Sequence, residues 1–125
     1  MVRRNAQVTE TELAILGVLW DRGPATVREI VETLYSKHSP ALHATVSSLL
    51  ERLTAKGLVT SDRRAFAHRY AARLDRQTFV GEQLRQLAET HFGGSLSPML
   101  LTLVDLAKLK KSERDAIRKI IEEMD

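Results

Sequence analysis

The sequence predicts a mostly α-helical protein interrupted by one small β-hairpin. Three observations carry that expectation. Apolar residues recur at helical spacing along most of the 125 residues. Two capping boxes, Thr9-Glu10-Thr11-Glu12 and Thr26-Val27-Arg28-Glu29, mark helix starts. Only the stretch from Leu58 to Ala72 loses the helical period, with short, partly β-branched runs.

The first capping box opens a helix that runs to about Asp21. It is apolar nearly all round (Leu13, Ile15, Leu16, Val18, Leu19, Trp20), which places it centrally, and Gly23-Pro24 stops it. The second box opens a helix whose stripe is Val27, Ile30, Val31 and Leu34. Ser39-Pro40 breaks the chain again. A third helix is expected from about Ala41 to Lys56, with Gly57 at its C-terminal cap. Leu42, Val46, Leu49, Leu50 and Leu53 form its buried face. Ala44, Thr45, Ser47, Ser48, Glu51 and Arg52 form a small, polar opposite face.

Leu58-Val59-Thr60-Ser61 and His68-Arg69-Tyr70-Ala71-Ala72 read as two strands. The basic turn between them, Asp62 to Ala67, contains Arg63 and Arg64. A fourth helix is expected from about Asp75 to Phe92, with Val80, Leu84, Leu87 and Ala88 on one side and Gly93-Gly94 at its end. Ser97-Pro98 is expected to start the fifth, as a hydroxyl N-cap followed by proline. Met99, Leu100, Leu101, Leu103, Val104, Leu106, Ala107 and Leu109 make it apolar round its whole circumference. Ser112 is expected to cap the sixth, whose stripe is Ile117, Ile120, Ile121 and Met124.

The composition narrows the function classes. Apolar residues make up 43% and charged residues 28%, a mix suited to a folded chain rather than disorder. With no cysteine there are no disulfides, thiolate ligands or cysteine nucleophiles. Met1-Val2-Arg3-Arg4-Asn5 leads into a polar stretch, so no signal peptide is expected, and no run of apolar residues suits membrane insertion. A cytoplasmic location is the default. No nucleophile with its base, glycine-rich phosphate loop or set-off carboxylate pair points to an enzyme. His38 and His43 are five apart, poor spacing for two ligands on one helix face, so no metal and no cofactor are expected.

Charge is unevenly spread. Residues 1–74 hold eleven Lys/Arg against seven Asp/Glu, whereas residues 75–125 hold eight against nine. Between Lys37 and Arg73 seven basic residues face only Glu51 and Asp62. Such an excess suits a polyanion partner.

Three helices and a hairpin are the layout of a winged helix-turn-helix, here spanning residues 1–73. In that layout the third helix enters the DNA major groove by its N-terminal end, and the hairpin reaches phosphates. Residues 74–125 are expected to form a three-helix dimerisation domain, because so small a unit cannot easily bury a fully apolar helix alone; the alternative is a monomer in which these helices fold back on the N-terminal domain. Leu84, Leu87, Leu100, Leu101, Leu103, Val104, Ile117, Ile120 and Ile121 are its candidate interface. A homodimer would present two recognition helices to a palindromic double-stranded operator. The competing reading is a winged-helix protein-interaction module without specific DNA binding.

The chain resembles the BlaI/MecI/CopY group of bacterial penicillinase repressors. The likeness is carried by Thr11-Glu12-Leu13-Ala14-Ile15-Leu16, Leu19-Trp20 and Gly23-Pro24-Ala25-Thr26-Val27-Arg28-Glu29-Ile30. It continues through Thr45-Val46, Leu49-Leu50-Glu51-Arg52-Leu53, Lys56-Gly57-Leu58-Val59, His68-Arg69-Tyr70 and Phe92-Gly93-Gly94-Ser95. The resemblance implies a homodimeric repressor of β-lactam-response genes, released through a membrane sensor-protease pathway by cleavage in the fifth helix. A ligand sensed in the helical domain is the other route to release. Three departures stand out. The cysteine cluster of the copper-responsive branch is absent. Thr102-Leu103 stands where cleaved members have Asn-Phe, and Ser47 stands where members carry a guanine-reading arginine.

The candidate DNA contacts are therefore Thr26, His43, Thr45, Ser47, Ser48, Arg52, Arg63, Arg64 and Arg69. Thr45 matches a hydroxyl position of the family's recognition helix, and Ser47 and Ser48 share its face. His43 and Arg52 flank it as phosphate contacts. Thr26 sits at a helix N-terminus, a natural anion site, besides its capping role. Trp20 and Tyr70 are expected in the core, and His91 in a structural role.

Overall fold

A computed structural model of the chain describes residues 7–64 and 68–124. The N-terminal Met1-Val2-Arg3-Arg4-Asn5 stretch and residues 65–67 of the expected turn lie outside the described residues. The elements run in the order α1 (Glu10–Arg22), α2 (Val27–Tyr35), α3 (Pro40–Ala55), β1 (Val59–Asp62), β2 (Arg69–Ala72), α4 (Arg76–His91), α5 (Leu96–Ala107) and α6 (Lys111–Glu123). The mostly helical class with one two-stranded hairpin is as the sequence predicts. The chain groups into two compact units, Met1–Glu82 and Gln83–Asp125, with the boundary inside α4.

Both capping boxes form. Thr9 Oγ1 accepts the Glu12 N–H at 3.2 Å, and Glu12 Oε1 accepts the Thr9 N–H at 3.0 Å. Thr26 and Glu29 repeat this at 3.1 and 2.9 Å. Each box satisfies backbone donors that a helix start leaves unpaired. Helix α3 starts on Ser39, whose Oγ accepts the Leu42 N–H at 3.1 Å, with Pro40 as its first residue. At its far end Gly57 takes φ +79°, a left-handed turn that suits glycine and leads directly into β1.

The core of the first unit joins α1, α2, α3 and the hairpin. Ile15, Leu16, Ile30, Val31, Val46, Leu50 and Leu53 are almost completely buried. Each such side chain contributes about 1.5–3 kcal/mol by leaving water. Helix α1 is less uniformly central than its sequence suggests, because Leu13 is exposed and Trp20 only partly buried. Strands β1 and β2 pair antiparallel, with Val59 opposite Ala72 and Asp62 opposite Arg69. A third backbone segment joins them. Ala25 and Tyr70 exchange two hydrogen bonds, at 2.9 and 2.8 Å, which lock the α1–α2 connection to β2.

Two helix starts in the second unit differ from expectation. Ser97 does not cap α5; Ser95 is the N-cap, and Pro98 occupies the third helical position. Gly93 and Gly94 both take positive φ and turn the chain early, and the first helical N–H groups have no partner for a proline to remove. Ser112 does not cap α6 either. The helix begins at Lys111, and Glu113 Oε1 accepts the Lys110 N–H at 3.4 Å, so the return half of a box sets the start. Leu109 falls outside α5, which ends where Lys108 turns left-handed.

In the second unit Ala88 and Met99 are buried, while most other apolar side chains stay open. Leu101 is 66% and Leu106 76% exposed, and Leu84, Leu87, Leu100, Leu103, Val104, Ile117, Ile120 and Ile121 are exposed as well. Among the described residues no helix is long and apolar enough to cross a membrane.

Candidate nucleic-acid interface

Helix α3 carries the small polar face. Its buried side, Val46, Leu50 and Leu53, is held by the core, which leaves His43, Thr45, Ser48 and Arg52 exposed and Ser47 half-buried. The Thr45 hydroxyl donates to the Ala41 carbonyl at 3.0 Å. Its proton is thus occupied, and its lone pairs point outward as acceptors, suited to the amino group of adenine or cytosine. His43 meets His38 edge to face, with ring centroids 5.5 Å apart. Among the described residues no third ligand completes a metal site there.

The hairpin supplies the basic side chains. Arg63, Arg64 and Arg69, with Thr60 and Ser61, line an open groove of about 810 Å³. Two of these arginines are held by carboxylates. Asp62 accepts the Arg64 backbone N–H at 2.9 Å, its Nε at 3.1 Å and its Nη2 at 3.3 Å. Hydrogen bonds from the Arg64 guanidinium and backbone hold the Asp62 carboxyl below its ordinary range. Arg69 pairs with Glu29 at 3.3 Å. Among the described residues no carboxylate pairs with Arg63 or Arg52.

Thr26 is tied to this network through its cap. Glu29 accepts the Thr26 N–H and also pairs with Arg22 at 2.6 Å and with Arg69. The Thr26 backbone bond, with the Thr26 hydroxyl and the two arginines, outweighs the opposing desolvation and keeps the Glu29 carboxyl low. One side chain therefore joins the end of α1, the start of α2 and strand β2. The Thr26 hydroxyl and N–H are both engaged in this cap.

Sequence reasoning missed three arrangements. Glu29 was legible as a cap but not as the partner of Arg69, forty residues on. The Asp62–Arg64 fork was visible only as two charges in a turn. Lys56 donates to both oxygens of the fully buried Glu12 at 2.9 Å and to the Gln7 carbonyl at 2.6 Å, which clamps the end of α3 to the start of α1. The expected core roles of Trp20 and Tyr70 gain detail. Trp20 Nε1 donates to the Leu74 carbonyl at 2.8 Å, and Tyr70 stacks on His68 at 4.6 Å.

Comparison with known proteins gives a consistent result. The family model described as penicillinase repressor matches residues 8–123. A transcriptional regulator BlaI from Mycobacterium tuberculosis (strain CDC 1551 / Oshkosh) is 34% identical over 118 residues, covering 93% of this chain and 83% of the relative. The BlaI of strain ATCC 25618 / H37Rv matches to the same extent. A penicillinase repressor from Bacillus licheniformis is 22% identical over 122 residues, covering 98% of this chain and 94% of the relative.

Proposed function

Because the chain belongs to the penicillinase repressor family, we propose that it represses transcription by binding double-stranded operator DNA as a homodimer. The observation that carries this reading is the exposed polar face of α3 in one unit with an arginine-bearing hairpin. In the proposed complex the N-terminal half of α3 enters the major groove. Thr45, Ser47 and Ser48 meet base edges there, while His43 and Arg52 meet phosphates. Arg63, Arg64 and Arg69 bind the backbone from the hairpin, and Thr26 marks the helix start nearest them in the hydrogen-bond network. The protein acts where its DNA is, in the cytoplasm.

The division of labour falls near Arg73, with residues 1–73 reading DNA and residues 74–125 pairing two copies. The pairing is supported by the apolar side chains that α4, α5 and α6 leave uncovered, among them Leu101, Val104 and Ile120. Two copies would place two recognition helices about 34–36 Å apart on a palindrome. The genes controlled are those of a β-lactam response. Release follows either from cleavage of α5 at Thr102-Leu103, downstream of a membrane sensor-protease, or from a ligand. Blotting after β-lactam exposure separates the routes, because an intact band during derepression excludes cleavage.

A titration with a duplex from upstream of its own gene, beside a scrambled duplex at two salt concentrations, tests the reading. Tight binding to the first and weak, salt-sensitive binding to the second is the expected result. Absence of binding to both would turn the assignment to a protein-interaction module.

A further inference from the structure

Asp62 ends β1, and its carboxylate turns toward the hairpin tip. One oxygen accepts the backbone N–H and Nε of Arg64, and the other accepts Nη2. That is the two-pronged geometry by which an arginine grips a phosphate. The Arg64 side chain is otherwise 91% exposed, so packing does not account for its posture. Arg69 is likewise held, by Glu29, whereas Arg63 has no carboxylate partner among the described residues. Among the described residues, Arg63 is thus the hairpin arginine that no carboxylate holds.

We propose that Asp62 occupies Arg64 as an internal stand-in for phosphate and so lowers the protein's affinity for DNA. The inference rests on the DNA-binding reading above. To grip a backbone phosphate, Arg64 must leave Asp62, and the freed carboxylate then lies near the DNA's own negative charge. An arginine already neutralised displaces little of the DNA's counterion atmosphere, so it adds little sequence-independent affinity. Exposed ion pairs are weak, and this one yields to a phosphate held in register by α3. A loosely placed phosphate on random DNA does not dislodge it.

Asp62→Asn is the informative variant. The amide oxygen still accepts the Arg64 N–H, so the turn keeps its shape while the competing charge is lost. Full-length protein is titrated with the scrambled and upstream duplexes across a salt series, as wild type, Asp62→Asn, Arg64→Ala and the double variant. A urea midpoint for each checks folding. Asp62→Asn should raise affinity for the scrambled duplex roughly three- to ten-fold and steepen its salt slope by about 0.9. The upstream duplex should gain at least as much, with little change in salt slope, because its binding no longer has to break the pair, and both gains should vanish when Arg64 is alanine. An unchanged affinity for either duplex, a larger gain on the scrambled than on the upstream duplex, or a gain that survives Arg64→Ala would overturn the proposal while leaving the repressor reading intact. Wild type that binds neither duplex at low salt would instead remove the DNA-binding reading, and this inference with it.

Discussion

Lys56, at the C-terminal cap of α3, donates to both carboxylate oxygens of Glu12, in the first turn of α1, at 2.9 Å each. Glu12 is fully buried, and its acceptors are also engaged by the Thr9 N–H. The pair therefore ties the C-terminal end of α3 to the first turn of α1. Removing one partner is worse than removing both, because a lone buried charge has nothing to offset its desolvation. Lys56→Met should cost about 2–4 kcal/mol in urea unfolding, somewhat below the fully buried range because Lys56 retains some solvent. Glu12→Gln with Lys56→Met should recover part of that loss. A double variant less stable than Lys56→Met by the full cost of Glu12→Gln alone would show that the pair is not coupled.

The same pair sets an acid dependence. Burial pushes the Glu12 carboxyl up, but the hydrogen bonds from Lys56 and Thr9 together outweigh it, leaving the group below its ordinary value of 4.5. A carboxyl with a lower pKa folded than unfolded binds protons less readily in the native state. Its stabilisation is full above the ordinary value and drains as pH falls through the depressed one. Unfolding curves from pH 6 downward should show wild type losing stability in that window, with a shallower loss in the Glu12→Gln, Lys56→Met variant. Parallel curves for the two proteins would assign the acid dependence to other groups.

Trp20 offers a built-in reporter for the start of α4. Its indole N–H donates to the Leu74 carbonyl, Phe79 packs on it at 5.5 Å, and the Arg76 guanidinium lies 5.3 Å from its ring while pairing with Asp21. It is the sole tryptophan of the chain, so its fluorescence reads this cluster alone. Arg76→Ala should weaken the cluster by about 0.5–1 kcal/mol, the scale of an exposed cation–π contact, and shift emission to the red. Trp20→Phe keeps the ring but orphans the Leu74 carbonyl, and should cost about 1–3 kcal/mol. Unchanged emission in Arg76→Ala would place the guanidinium away from the ring in solution.

Much of this fold was legible because its signals are local. Capping boxes, the Gly23-Pro24 stop and the Val27-Ile30-Val31-Leu34 stripe are short-range chemistry, and each marks a real boundary. The starts of α5 and α6 were misplaced because Ser97 and Ser112 look like caps. Two positive-φ glycines and the Glu113 return bond decided the matter instead. The Ala25–Tyr70 bridge had no signature, since one extended residue between a turn and a cap has no alternation to read. Candidate DNA contacts were named by residue type, but charge lists do not reveal pairing. Arg64 and Arg69 looked as open as Arg63, although Asp62 and Glu29 hold them.

Base reading and backbone binding should separate by mutation. Thr45 presents hydroxyl lone pairs outward, because its proton is spent on the Ala41 carbonyl. Thr45→Ala should lower the preference for the upstream over the scrambled duplex by about 1–3 kcal/mol. Arg63→Ala, at the hairpin arginine that no carboxylate holds among the described residues, should instead weaken both duplexes by a similar factor and flatten the salt slope. Equal loss on both duplexes for Thr45→Ala would remove it from the base-reading set.

The uncovered apolar side chains of the second unit give the last prediction. Leu101 is 66% and Ile120 59% exposed. In a lone chain, replacing such a residue with aspartate exchanges apolar for polar surface in water and should cost almost nothing. Across a symmetric interface each substitution enters twice and buries an unpaired charge. The two cases therefore diverge in a sedimentation experiment. Wild type at micromolar concentration should sediment at twice the monomer mass. Leu101→Asp with Ile120→Asp should sediment as monomer while keeping its helical circular dichroism. That variant should also lose most of its operator affinity but keep its weak, salt-sensitive binding to scrambled DNA, because each winged helix still carries its own phosphate contacts. A wild-type monomer at that concentration would refute pairing through this face, and a dimeric variant would move the interface elsewhere on the chain.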